Sequence, residues 1–161
     1  MSAQGARIDL DFVLNGLPVK TVVETEVTAY EFLRDEMQLT SMRSACDGIG
    51  MCGACTILVN GRASPSCLML AADLAGARVE TAEGMATANR LHPLQQAFVR
   101  LGALQCGFCT AGMLLSAKAL LDETPHPSRE EIQRALAGNI CRCTGYAKIV
   151  QAIEAVAAGT G

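Results

Sequence analysis

All eight cysteines of this 161-residue chain fall into two groups of four, and none is left over. Cys46, Cys52, Cys55 and Cys67 follow the spacing C-x5-C-x2-C-x11-C, while Cys106, Cys109, Cys141 and Cys143 follow C-x2-C-x31-C-x-C. Disulfides would be the reading for a secreted chain, but the opening MSAQGARIDLDF has no apolar stretch and no cleavage signal. The expectation is reduced thiols in a cytoplasm, holding metal.

In the first quartet three candidate ligands crowd one loop together with Gly48, Gly50 and Gly53. Glycines let a loop wrap closely around a cluster and aim backbone N–H groups at its sulfurs, which stabilises negative charge. Zinc also takes four thiolates, but its sites usually come as two short arms. The plant-type ferredoxin pattern therefore favours an iron–sulfur cluster here. Gly48-x-Gly50-x-x-Gly53 also spells a dinucleotide fingerprint; it is rejected because cysteines fill the loop and a strand follows where that motif demands a helix. The second quartet offers two thiol pairs, each running into a helix-like sequence whose positive N-terminal end suits an anionic centre. On spacing alone it could equally hold zinc.

The elements that must position these loops come in two kinds. Ile8, Leu10, Phe12 and Leu14 alternate with polar residues, Asn15-Gly16 turns, and Val19, Thr21 and Val23 resume, predicting a hairpin over 7–23. Thr28-x-x-Glu31 predicts a capped amphipathic helix carrying Tyr30, Phe32, Leu33 and Met37. Residues 56–59 read as a strand turned at Asn60-Gly61, and 77–81 as a last strand. Beyond residue 82 the apolar period lengthens, which predicts a boundary within 82–90 and then helices. His92-Pro93 starts one bearing Leu94, Ala97, Phe98 and Leu101; Thr110 to Leu121 forms another with Met113, Leu114 and Ala117. Ser128-x-x-Glu131 caps a third with Ile132, Ala135 and Leu136, and Thr144 opens a fourth with Ile149, Ile153 and Val156.

Half of the residues are hydrophobic, yet no run reaches the roughly 18 apolar residues of a membrane span. The surplus is assigned to partner surfaces. Residues 1–84 hold six basic and eleven acidic side chains and residues 85–161 seven and five, so neither half has the clustered cations of a nucleic-acid binder.

CGAC, QCGFCTAGM and GNICRCTGY, in this order and separation, closely resemble the small iron–sulfur subunit of molybdenum hydroxylases, the xanthine oxidase family. The resemblance runs from about residue 7 to residue 156. It implies an α+β chain: a β-grasp ferredoxin-like domain over 1–84, then a four-helix-bundle domain over 85–161, with one [2Fe–2S] cluster in each. The first cluster would rest on Cys46, Cys52, Cys55 and Cys67, the second on Cys106, Cys109, Cys141 and Cys143. Gln105 matches a pterin-contacting glutamine. The implied partners are a large subunit carrying molybdopterin, in its cytosine dinucleotide form, and a medium subunit carrying FAD or another external electron carrier; the substrates implied for such complexes are N-heteroaromatic rings, aldehydes, carbon monoxide or aromatic acyl-CoA. The chain itself would hold no catalytic site and would relay electrons within a hetero-oligomer. Two positions depart from the family pattern: five residues rather than four separate Cys46 from Cys52, and Ala111 stands where proline is common.

Other residues carry structural expectations. His92 and His126 precede prolines and are read as structural. Met51, Met69, Met113, Phe108 and Tyr146 are read as packing, and Arg142 as charge compensation between its cysteines, a cluster hydrogen-bond donor or a surface residue. The rival reading is a free-standing two-cluster ferredoxin or redox sensor, against which Gln105 and the apolar surplus argue.

Overall fold

Alternation of buried and exposed side chains sets the first sheet contacts in the computed structural model, which describes residues 5–87 and 90–159. β1 (Arg7–Leu14) and β2 (Leu17–Glu24) pair antiparallel from Arg7↔Glu24 to Leu14↔Leu17. The turn residues Asn15 and Gly16 both have positive φ, 51° and 83°, the conformation that matches strand twist in a two-residue hairpin. Leu10, Phe12, Leu14 and Val23 are buried on one face, while Asp11 pairs with Lys20 on the other.

Thr28 and Glu31 form the expected capping box, with each side chain hydrogen-bonded to the other residue's backbone N–H at 3.0–3.1 Å. The helix departs from expectation. After one α turn, α1 (Ala29–Glu31), it widens into a π segment over Phe32–Glu36, closed by Met37 N–H donating to Phe32 O. The widening sets adjacent Phe32 and Leu33 both fully against the sheet, where Phe32 meets Phe12 edge-on at 6.0 Å.

β3 (Thr56–Val59) and β4 (Arg62–Pro65) form a second hairpin, and β5 (Arg78–Glu80) lies parallel to β1 and antiparallel to β3. The resulting order is β2-β1-β5-β3-β4. This mixed sheet with helices makes the chain α+β.

The helices are α2 (Pro93–Arg100), α3 (Thr110–Glu123), α4 (Arg129–Ala135) and α5 (Ala147–Ala157). His92 caps α2 by accepting from Leu94 N–H at 3.2 Å, and His126 meets Ala157 O at 2.9 Å, so both histidines have structural work. α5 begins three residues later than Thr144, because Gly145 and Tyr146 hold φ of 63° and 66° and cannot start a right-handed turn.

Two apolar clusters result. One gathers Leu10, Phe12, Phe32, Leu33, Ile57 and Val79 between the sheet and α1. The other gathers Leu94, Phe98, Met113, Leu115, Ile132 and Ile153 from the helices, joined by Leu58 of β3. Because side chains alternate along a strand, Ile57 and Leu58 serve opposite cores, so β3 is shared. Each such fully buried side chain contributes about 1.5–3 kcal/mol. Lys118 of α3 pairs with Glu80 of β5 at 3.2 Å and strengthens the seam. Of the boundary expected within 82–90, residues 88 and 89 lie outside the described residues.

Candidate metal centres

The loop between α1 and β3 gathers the first quartet. Asp47, Gly48, Gly50 and Gly53 all take positive φ, and this coiling absorbs the fifth residue between Cys46 and Cys52. The loop aims the N–H groups of Cys52, Met51 and Ile49 at the Cys46 sulfur; led by that of Cys52, they hold its thiol down at about 6. Cys67 arrives from the short helical turn after β4 and lies 3.3 Å from the Cys55 sulfur. Burial pushes the Cys67 thiol up to about 11. Cys52, Cys55 and Cys67 are all buried.

The second quartet comes from two loops. Cys106 and Cys109 precede α3, and Cys141 and Cys143 lie between α4 and α5. Cys106 and Cys143 sulfurs are 3.5 Å apart, and Cys109 hydrogen-bonds to Cys141. Burial pushes the Cys109 thiol up to about 12. Burial would also raise Cys141, but hydrogen bonds led by the Thr144 hydroxyl outweigh it and lower the thiol. Cys106 and Cys143 are exposed, whereas in the first quartet only Cys46 is partly exposed, so the second site is the more open of the two. Gln105 stands at that opening and donates from Nε2 to Cys143 O at 3.2 Å.

None of the eight cysteines is in a disulfide. An apolar cavity of about 380 Å³ lies between the two quartets, lined by Met51, Ala54, Phe108 and Ile140 as well as six of the cysteines. Met51 and Phe108 were expected as packing, yet Met51 is 64% exposed and Phe108 lies 5.4 Å from the Arg43 guanidinium. Arg142 is exposed on the same cavity. Met113 is fully buried and Met69 packs against the sheet core, as expected.

Asn139 is a site-forming residue that spacing arguments overlook. It is 4% exposed, accepts from Ser116 Oγ at 2.8 Å, and donates from Nδ2 to Gly53 O at 2.8 Å. Gly53 follows Cys52 and Asn139 lies two residues before Cys141, so one buried amide joins the two cysteine loops. The first turn of α3 also lies against the first loop, so closely that a Cβ on Gly112 would meet Gly53 O at 2.2 Å. The only sequence signal was the buried-type asparagine inside the GNIC motif. Tyr146 does pack on the helical core, but its hydroxyl also accepts from Cys141 N–H at 2.8 Å and donates to Asn139 O at 3.0 Å.

A family model described as a [2Fe-2S] binding domain matches residues 81–154. The chain is 47% identical over 147 residues to the nicotine 6-hydroxylase small subunit of Paenarthrobacter nicotinovorans, covering 91% of this chain and 88% of that one. It is 44% identical to the nicotinate dehydrogenase small FeS subunit of Eubacterium barkeri, covering 92% and 94%. Its fold matches a chain of quinoline 2-oxidoreductase from Pseudomonas putida 86 with a TM-score of 0.90 at 43% identity, covering 96% of each.

Proposed function

This chain belongs to the small [2Fe–2S] iron–sulfur subunits of the molybdenum hydroxylase family, and from that premise we propose how its residues carry electrons for the assembled oxidoreductase. Cys46, Cys52, Cys55 and Cys67 hold one cluster, and Cys106, Cys109, Cys141 and Cys143 hold the other. Sulfur geometry supports this. Bonds of about 2.3 Å at tetrahedral angles put two thiolates on one metal ion roughly 3.8 Å apart, and the pairs at 3.3 and 3.5 Å suit that spacing. Thiolates in separated pairs suit a two-metal cluster better than lone zinc. Each cluster, when bound, supplies a one-electron carrier.

The chain's own residues provide the rest. N–H groups around Cys46 and Cys106 stabilise thiolate charge, and apolar side chains line the cavity between the sites. The exposure of Cys106 and Cys143 supports the second site as the one that meets the molybdenum-bearing subunit. Gln105 uses one Nε2–H on Cys143 O, and its Oε1 and second N–H would be the groups offered to the pterin.

We read the sheet with α1 as a β-grasp ferredoxin-like unit over 1–84 and α2 to α5 as a four-helix bundle over 85–161, supported by the two apolar clusters. Molybdopterin in its cytosine dinucleotide form sits on a large partner and FAD on a medium one. We assign the hetero-oligomer to the cytoplasm, a reading supported by eight cysteines that form no disulfide. No helix among the described residues is long and apolar enough to cross a membrane. The relatives named for nicotine, nicotinate and quinoline support a nitrogen heteroaromatic substrate for the complex.

The observation that carries this reading is the gathering of the eight cysteines into two groups beside one apolar cavity, which six of them line. Its test is purification through a tag on this chain from cells expressing its native partners. A molybdenum-containing large subunit should co-purify, and the chain alone should oxidise no substrate. A colourless, zinc-loaded preparation without a partner would overturn the reading. Gln105→Leu should leave both iron sites loaded yet slow their reduction by substrate, while exposed Gln151→Leu should not.

A further inference from the structure

The loop from Asn139 to Tyr146 contains a side chain aimed at a sulfur rather than at the core. Thr144 Oγ1 lies 3.0 Å from Cys141 Sγ, and the backbone N–H of Tyr146 donates to the same Oγ1 at 3.2 Å. These two contacts set the direction of the hydroxyl. Tyr146 occupies the acceptor side of the oxygen, and a metal-bound thiolate has no proton to give, so the Thr144 proton points to sulfur.

We propose that Thr144 is a tuning residue for the second cluster: its hydroxyl donates to the Cys141 thiolate, stabilises the reduced form, and raises that cluster's potential. This inference rests on the assignment of Cys141 as a cluster ligand. Reduction adds negative charge that spreads onto the ligand sulfurs, and a donor at one of them favours the state with more charge. Cys141 is partly buried, so water competes weakly for that sulfur. The loop is built to hold the hydroxyl in place. Tyr146 adopts φ 66° and ψ −22°, a conformation costly for a tyrosine, while its hydroxyl bridges Cys141 N–H and Asn139 O. The left-handed turn brings the Tyr146 N–H back to Thr144 Oγ1, which keeps the threonine facing Cys141.

The experiment is a redox titration of the assembled complex followed by electron paramagnetic resonance, comparing wild type with Thr144→Val and Thr144→Ser. Thr144→Val should lower the midpoint potential of the second cluster and leave the first unchanged; Thr144→Ser should restore it. Pulsed measurements after transfer to deuterated buffer should show one exchangeable coupling fewer in Thr144→Val and its return in Thr144→Ser. Should Thr144→Val fail to assemble, Thr144→Ala removes the same hydroxyl with less strain. Tyr146→Phe, which disturbs the loop but keeps the Thr144 hydroxyl, should retain the coupling. Two intact clusters with unchanged potentials and couplings in the hydroxyl-free variants would overturn the role of Thr144 alone. A wild-type complex with only one paramagnetic centre would overturn the ligand assignment as well.

Discussion

The backbone N–H of Ile140 donates to the carbonyl oxygen of Cys52 across 2.9 Å. A residue next to one candidate ligand, Cys141, is thus hydrogen-bonded to a candidate ligand of the other quartet. The two loops are held in register by main-chain contact as well as by Asn139, so the separation of the two sites is a property of this chain, independent of any partner. Electron transfer depends steeply on such separations.

Loading should follow the two quartets independently. We expect about four iron and four acid-labile sulfide per chain, falling to about two of each in Cys67→Ala, with the spectrum of the second site retained. Iron analysis and paramagnetic resonance check this. A variant that lost all iron would show that the quartets do not load separately.

Asn139→Ala should cost about 1–3 kcal/mol in denaturant unfolding of the loaded protein, because Gly53 O and Ser116 Oγ lose a buried partner together. Ser116→Ala should cost less, since Asn139 keeps its bonds to Gly53 and Thr56. Equal effects would mean that Asn139 contributes nothing across the seam.

Within a helix, alanine ordinarily stabilises relative to glycine by about 1 kcal/mol. At Gly112 the sign should reverse, because the added methyl would press on Gly53 O, and overpacking costs about 1–3 kcal/mol. Gly138→Ala meets nothing within 4 Å and should be near neutral. Thermal melts of the two variants distinguish them.

Two capping boxes give the chain a defined acid response. The Thr28 backbone N–H lowers the Glu31 carboxyl and the Ser128 backbone N–H lowers Glu131, both from an ordinary value of 4.5. A carboxyl lowered in the folded state stabilises fully above its unfolded value, and loses that contribution as pH falls through its folded value. The melting-temperature gap between wild type and Glu131→Gln should therefore be largest near neutrality and shrink below pH 4.5. A gap that widened on acidification would contradict the assignment.

Much of this protein was legible locally. Asn15-Gly16 and Asn60-Gly61 set turns, Thr28-x-x-Glu31 and Ser128-x-x-Glu131 set helix starts, and cysteine spacing set the two quartets, because each depends on residues a few positions apart. The π segment at Phe32 was not legible, since it exists to press two neighbouring side chains onto a sheet the helix period cannot anticipate. The start of α5 was misplaced because left-handed Tyr146 is sustained by hydrogen bonds to Cys141 and Asn139, not by its own preference. Asn139 and Gly112 gained their roles only through Gly53, which lies 86 residues from Asn139 in the chain. The sequence alone thus determined which thiols group together, while tertiary packing decided how far apart the groups stand, which site is the more open, and which hydroxyl faces a sulfur. Those are distances between segments remote in sequence, and only the folded seam around β3 and α3 brings them together.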